Sequence, residues 1–411
     1  MTALSVPLPI PVPTAPSDAP YTDEPVALLQ LDASDPIGAA SAVYAQVRRG
    51  RRVVAVACGD PDAAARLSQA LDAIGILANR PAPGEAVLGT GVTIVPGPAA
   101  IPGRPGSVRG QALRVALAGC GVVGGGLLPR LLADPRFEVI GVLVRDAARP
   151  RDTVIPTGLA VSDPAALLAR EPDILVEAIS DASTGLALIR AALSRGVDVV
   201  SANKQAIGAD LTGLTALAAA TGTRLLYAAS VGGGAPLIET VRRARDHGAV
   251  VRIEAVLNGT CNFILNRLAE DRSFEAALVA ARDAGFAEAD PSADLTGLDA
   301  AAKLAILAHE ALGKLPAVDG IRREPLAAGG VLPPGRVRQQ ARLDVPSGDV
   351  GVTLCAVDGD PLFADLPDEW NALRVTTADG RVFTARGRGA GRIPTAESVW
   401  ADLTDLAAPE A

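Results

Sequence analysis

Apolar positions along the chain follow two spacings, and each change of spacing marks a new element. Between residues 26 and 98, "VALLQL" and "RRVVAVAC" are short, continuous and bounded by turn formers, as buried strands are. Ile37–Arg49 and Pro61–Ile74 carry apolar residues three and four apart, which predicts helices. With "AVLGTGVTIV" as a third strand, this stretch reads as a small α/β unit. Next comes "PGPAAIPGRPGSVRG", dense in Pro and Gly, and a linker is expected over 99–111.

A longer alternation starts at Leu113. Strands are predicted at "LRVALAG", "FEVIGVLV", "DILVEAI", "DVVSA" and "RLLYAAS". Helices are predicted at Gly124–Ala133, near Pro164–Ala169, at Gly185–Arg195 and at Leu211–Ala220. Strand–helix alternation of this kind predicts a Rossmann-type, doubly wound parallel sheet over 112–236. Past residue 236 the rhythm changes. "VVRIEAVLN" and "DVGVTLCAVD" read as sheet with helices between them, so 237–385 is expected to be an α+β domain. No internal repeat is evident.

One segment resists the pattern. In "GFAEADPSADLTGLDAAAKLAILAH" the acids Glu288, Asp290, Asp294 and Asp299 run into an apolar helix with a single lysine, Lys303. The ordinary account is an acid in the first helical turn with an i,i+4 surface pair. Against it, "AAAKLAILA" has no polar face, so the helix should be buried, and a buried ammonium needs a partner or a function. Such a lysine suits acid–base work, and the acids suit the ammonium of an amino-acid substrate.

Composition narrows the classes. At 411 residues the chain has room for two or three cores, and with 3% aromatics these must be built from Ala, Leu, Val and Ile. A net charge of −8 supplies no basic field for nucleic acid or an anionic membrane. No apolar run approaches the roughly 20 residues a membrane span needs. The leader, residues 1–25, is Pro-rich without a basic start, so it is expected to be disordered and not a signal peptide. Four scattered cysteines and two histidines make a disulfide framework, a zinc site or a His-dependent triad unexpected. These features predict a cytoplasmic protein with a small-molecule substrate.

"ALAGCGVVGGGLL" holds Gly119-x-Gly121-x-x-Gly124 between a predicted strand and helix, with Val123 inside the turn. Without Cβ atoms such a backbone can approach a pyrophosphate, and the helix N-terminus favours its charge. At the end of the next strand, where an NAD enzyme usually has an acid, stands Arg145 followed by Asp146. An arginine there suits the 2′-phosphate of NADP; the competing reading is a solvated strand-end charge.

Five ordered segments resemble the homoserine dehydrogenase family: "SANKQAI", "YAASVGGGAPLI", "VLNGTCNFIL", "GFAEADPSADLTGLDAAAKLAIL" and "GRGAGRIPTAESVWADL". The resemblance runs from about Leu113 to Leu403. It implies NAD(P)-dependent interconversion of L-homoserine and L-aspartate 4-semialdehyde in threonine and methionine biosynthesis. It implies that Lys303 is the catalytic lysine and that Lys204 stands at the nicotinamide–substrate junction. Glu288 and Asp299 would bind substrate, with Asp294 close by. Thr260, at a predicted helix start, is either a cap or a substrate contact; Asn203 and Asn258 are either turn or site residues. A homodimer or higher homo-oligomer through the second domain's sheet is implied, with 386–411 returning to the nucleotide domain.

Departures from the family pattern qualify this. Ala228 replaces a Glu that helps bind a monovalent cation in relatives, leaving Val231, Gly233 and Ala235 to supply backbone contacts. Ser180-Asp181 replaces a common Gly-Gly, with Ser180 as a cofactor contact. No ACT regulatory segment follows the last motif, so feedback inhibition through one is not expected. Residues 26–98 resemble an aspartokinase fragment in "VVAVACGD" and "ARLSQALDAIGILANRPAPGE", but lack the kinase nucleotide motif, and read as a remnant or accessory unit. Two other readings stand beside the dehydrogenase: a related amino-aldehyde reductase, and a non-catalytic dinucleotide-binding sensor or subunit.

Overall fold

The strands β1 (Val26–Asp32), β2 (Arg52–Cys58), β3 (Ala78–Asn79) and β4 (Val92–Pro96) form a parallel sheet in the order β1-β2-β4-β3. Asp35 starts the helix Pro36–Arg48 by accepting the Gly38 amide, with Pro36 in the first turn where it forfeits no bond. β3, two residues long, is too short for any periodicity to announce. In the computed structural model, residues 26–32, 34–58, 62–80, 91–96, 112–146 and 148–408 are described. The expected leader and linker lie outside them. This unit is the smaller of two compact units into which the chain divides.

The larger unit holds two sheets. The first comprises β5 (Leu113–Ala118), β6 (Phe137–Leu143), β7 (Ala160–Val161), β8 (Ile174–Glu177), β9 (Asp198–Ser201) and β10 (Leu225–Leu226). All its pairings are parallel and the order is β10-β9-β8-β5-β6-β7. The chain winds outward in both directions from β5, so the β5/β8 boundary is the topological switch point where such sheets bind ligands. Both faces are covered, which is why the strands read as continuous apolar runs. The helix Val122–Ala133 and the C-terminal helix Arg392–Leu406 cover one face through Leu127, Leu131, Val399 and Leu403. The helices Ala182–Leu193 and Lys204–Thr221 cover the other through Ile189, Ile207 and Leu211.

Two elements differ from expectation. The helix predicted at Leu211–Ala220 begins at Lys204 and bends at Asp210 (φ −157°, ψ 47°), whose carboxylate pairs with Arg190. Lys204, Gln205, Gly208 and Asp210 interrupt the apolar period in its first turns. "RLLYAAS" contributes only the two residues of β10, and the chain then turns through Ala228–Ser230.

The second sheet comprises β11 (Val250–Val256), β12 (Arg322–Arg323), β13 (Val337–Asp344), β14 (Asp349–Ala356), β15 (Trp370–Thr377) and β16 (Val382–Arg388), ordered β12-β14-β13-β11-β15-β16. It is antiparallel except for β12 beside β14. One face packs under the helices Leu237–His247 and Leu298–Leu312, with Ile253, Ala255, Leu373 and Val375 against Leu304 and Leu307. The other is mixed: Val256, Trp370 and Ala372 pack with Phe363 and Leu366, while Glu254 pairs with Arg342 at 3.0 Å and Arg374 at 3.5 Å. Among the described residues no helix is long and apolar enough to cross a membrane.

Candidate active site

The glycine loop is built by sterics. Gly119 sits at φ +97°, and a Cβ there would lie 2.5 Å from the Ala178 carbonyl. A Cβ on Gly124 would lie 1.9 Å from the Gly119 carbonyl, so this glycine lets helix and turn close on each other. A Cβ on Gly121 would meet nothing within 4 Å; that glycine faces open space. The result is a backbone cradle at the mouth of the helix Val122–Ala133, next to the β5/β8 switch, and it fits a dinucleotide.

The cradle opens into a cleft of about 1300 Å³, which reaches Val123, Arg145 and Ser180. Ser180 lies at the rim and its neighbour Asp181 caps the helix Ala182–Leu193 by accepting the Thr184 amide at 2.7 Å. That explains an acid where a second glycine was expected. Two further arginines that the sequence reading missed, Arg149 and Arg151, line the same cleft, as does Arg392 from the C-terminal helix.

Toward β9 the cleft passes Ala202, and Lys204 follows two residues on, at the start of its helix. The Asn203 side chain caps that helix by accepting the Ala206 amide at 3.0 Å, and it donates to the Ile179 carbonyl at 2.9 Å. Asn203 is therefore a structural residue of the turn. Beneath it lies Glu177, fully buried, which accepts from Ser201 Oγ at 2.6 Å and the Ile179 amide at 2.9 Å. Burial pushes its carboxyl up, against the opposing hydrogen bonds from Ser201, Ile179 and Asn203. Its one sequence signal was a charge ending an apolar strand.

The acids and lysines converge. Lys204 Nζ lies 2.5 Å from Asp299 Oδ1, and Lys303 Nζ lies 2.9 Å from Asp299 Oδ2. Lys303 also donates to the Leu257 carbonyl at 2.7 Å and is only 9% exposed; Asp299 is 7% exposed. The buried lysine thus has an i,i+4 partner, but inside the protein. Asn258 caps the helix Gly259–Leu268 through the Cys261 amide, and its Nδ2 donates to Asp294 Oδ1 at 2.6 Å and Asp299 Oδ2 at 2.8 Å. Asn258 is both a turn residue and part of the cluster. Thr260 caps nothing; its hydroxyl donates to the Phe286 carbonyl at 2.6 Å.

The electrostatics follow from this sharing. Burial would raise the Asp299 carboxyl, but the Lys303 and Lys204 ammonium groups outweigh it and hold it well below the usual carboxylate range. Burial would lower Lys204, but Asp299, then Asp294 and Glu288, outweigh it and hold the ammonium above its usual value. Glu288 itself is exposed, within electrostatic reach of Lys204. Burial raises Asp294, and the neighbouring Asp299 adds to the rise against the Asn258 hydrogen bond.

Val231 and Ala235, like Ala228, are buried in the loop before the helix Leu237–His247, with Gly233 at φ +55°. The Ala235 carbonyl accepts the Leu237 amide at 2.8 Å. Among the described residues no group of three or more His, Cys, Asp or Glu is placed to hold a metal, so any cation here would rest on carbonyl oxygens.

Comparison with known proteins covers both halves of the larger unit. A family model described as homoserine dehydrogenase matches residues 236–404, and one described as homoserine dehydrogenase, NAD binding domain, matches 119–228. The chain is 32% identical over 331 residues to homoserine dehydrogenase of Synechocystis sp., covering 72% of this chain and 73% of that one. It is 32% identical over 331 residues to that of Corynebacterium glutamicum, covering 74% of each. Among solved structures, a homoserine dehydrogenase from Thiobacillus denitrificans superposes with a TM-score of 0.63 at 27% identity, covering 72% of this chain and 73% of that one. Identity of this extent, with each half matched by its own family model, is decisive: the chain belongs to the homoserine dehydrogenase family of oxidoreductases, with a nicotinamide dinucleotide as cofactor.

Proposed function

We propose that Lys303 is the acid–base group of the reaction and that NADP is the preferred cofactor for interconverting L-homoserine and L-aspartate 4-semialdehyde. The observation that carries the first assignment is the sharing of one buried carboxylate, Asp299, between Lys303 and Lys204. When bound, the nicotinamide supplies or accepts the hydride. In the reducing direction Lys303 gives its proton to the aldehyde oxygen as negative charge develops there; in the oxidising direction it takes the hydroxyl proton. Asp299 fixes the amine's position, and Lys204 stands between the cleft and the acids. Glu288, Asp294 and Asp299 bind the substrate ammonium, and Thr260 shapes the pocket through its bond to Phe286.

Gly119, Gly121, Val123, Gly124 and Ser180 hold the dinucleotide, and Arg145 favours the 2′-phosphate. The carbonyls of Val231, Gly233 and Ala235 hold a monovalent cation without a carboxylate at 228. The protein acts in threonine and methionine biosynthesis in the cytoplasm, as at least a homodimer through the second domain's sheet. It engages neither nucleic acid nor membrane.

The test is purified protein with homoserine and either NADP or NAD, following absorbance of the reduced cofactor, with Lys303→Ala beside it. Turnover of the variant should fall about 10²–10⁴-fold. A near-normal variant rate ends the assignment of Lys303. Reduction of related amino aldehydes with no activity on aspartate semialdehyde would point to the sister reductase.

A further inference from the structure

Four arginines line the nucleotide cleft, more than a preference for one 2′-phosphate requires. They fall into two pairs. Arg145 and Arg149 follow the end of β6, and neither makes a side-chain hydrogen bond or ion pair among the described residues. Arg151 and Arg392 lie beside the glycine turn itself. Both line the cleft together with Gly119, Cys120 and Gly121, and their charges oppose the burial that pushes the Cys120 thiol up.

Arg392 reaches this place from the first turn of the C-terminal helix, some 270 positions away in sequence. It lies over the glycine helix: a Cβ on Gly126 would be 3.2 Å from Arg392 Cγ, and one on Gly125 would be 3.6 Å from its Nη2. Glycine at both positions leaves room for the side chain. Its protein contacts are modest: Nη1 is 3.2 Å from Asp152 Oδ2, and Nη2 donates to Thr153 Oγ1 at 3.0 Å. The Asp152 side chain is 88% exposed, so that pair sits in water and contributes little. A guanidinium has five N–H donors, and these two contacts leave others for an anion.

We infer that Arg392 is a cofactor-binding residue that closes the glycine turn from the C-terminal helix and, with Arg151, takes the dinucleotide's pyrophosphate. This rests on the dinucleotide reading above and divides the labour within it. Arg151 and Arg392 serve a charge common to NAD and NADP, whereas Arg145 and Arg149 discriminate between them.

The experiment is direct titration of reduced-nicotinamide fluorescence with NADPH and with NADH. The proteins are wild type, Arg392→Gln, Arg392→Lys, Asp152→Asn and Arg145→Gln. Loss of a charge-assisted contact should raise the Arg392→Gln dissociation constant roughly tenfold or more, by the same factor for both dinucleotides. Arg392→Lys, which keeps the charge, should recover most of that. Arg145→Gln should weaken NADPH alone. Asp152→Asn releases Arg392 from its exposed partner and should leave affinity equal or tighter. If Arg392 merely ties the C-terminal helix to residues 152–153, Asp152→Asn and Arg392→Gln will weaken binding alike, and the inference fails. It also fails if Arg392→Gln affects NADPH but not NADH. Wild type that binds neither dinucleotide overturns this inference together with the reading beneath it, whereas wild-type binding with an indifferent Arg392→Gln overturns this one alone.

Discussion

Asp299→Asn changes almost no volume and removes one charge, so it isolates what the carboxylate does for its two lysines. In the wild type the 7%-exposed carboxylate accepts from Lys204 at 2.5 Å, Lys303 at 2.9 Å and Asn258 at 2.8 Å. An amide in its place must turn an NH2 toward at least one ammonium. Leaving a buried charge without its partner costs about 3–5 kcal/mol. The Lys204 side chain is 36% exposed, and water recovers part of this, so a net loss of about 2–4 kcal/mol is expected. For a unit of this size that is a fall of roughly 3–6 °C in the unfolding midpoint. The pH dependence has a definite sign. The folded Asp299 carboxyl is lowered, so its contribution is complete above the ordinary value near 4 and is lost as pH falls through the folded value. Folded Lys204 is raised, so its share is complete below the ordinary value near 10.4 and is lost as pH rises through the folded one. The deficit of the variant should therefore be flat from about pH 5 to 9 and shrink on strong acidification. Calorimetric melts of both proteins across that range decide it. A difference below about 2 °C at pH 7, or one equally large at pH 3 and pH 7, would refute the argument that this charge holds the lysines.

The cradle predicts opposite outcomes for two glycines: Gly124→Ala, with its Cβ 1.9 Å from a backbone carbonyl, should lower both the melting midpoint and dinucleotide affinity, by about 1–3 kcal/mol in stability. Gly121→Ala, which meets nothing within 4 Å, should melt as wild type yet bind NADPH roughly tenfold or more weakly, as melts and fluorescence titration will show. Glu310, buried under Tyr227 and Arg242, accepts from Arg242 Nε at 3.0 Å; burial and the Glu310 charge together push the Tyr227 phenol far up. Glu310→Gln should bring that phenol's ionisation to lower pH in an ultraviolet titration and lower the melting midpoint by several degrees. Glu177 has a raised carboxyl, so its folded form loses stability as pH rises from the ordinary value near 4.3 toward the folded one. Glu177→Gln, a mimic of the protonated acid, should melt no lower than wild type at pH 7, with an advantage that grows across that window.

What the sequence revealed and what it concealed divide along range. The cradle was legible because its three glycines, the strand before and the helix after are contiguous. The burial of Lys303 was legible because the helical period around it has no polar face. Contacts between distant segments were not. Nothing local says that Asp299, rather than Asp294 or Glu288, accepts from both lysines, or that Arg392 and Gly125 share one surface. Thr260 shows the same limit at short range. Its type and position suit a cap, but Asn258 two residues earlier takes that role, and the threonine turns to the Phe286 carbonyl instead. The late start assigned to the Lys204 helix has a similar cause: a buried N-cap, Asn203, begins a helix whose first turns mix Ala206 and Ile207 with Lys204, Gln205, Gly208 and Asp210, so the apolar period shows clearly only from Leu211 on.

The same residues suggest why the two halves of the site can act together. Glu177 ends β8 at the switch point and binds the Ile179 amide, whose loop lines the cleft. Through Ser201 and Asn203 it also anchors the turn that starts the Lys204 helix. Lys204 then meets Asp299, and Asp299 meets Lys303. Each link is a hydrogen bond or ion pair that joins side chains to one another or to a backbone group at or near a strand end or helix start. A cofactor that shifted the Ile179–Asp181 loop would therefore bear on Lys204 through Asn203, which donates to the Ile179 carbonyl and caps the lysine's own helix. The continuity is physical: it starts at the exposed rim formed by Ser180 and Asp181 and runs inward through buried Glu177, Ser201 and Asn203. It explains a feature that burial alone would disfavour: a fully buried carboxylate with no ion-pair partner among the described residues, kept at the switch point because three donors from two segments use its two oxygens.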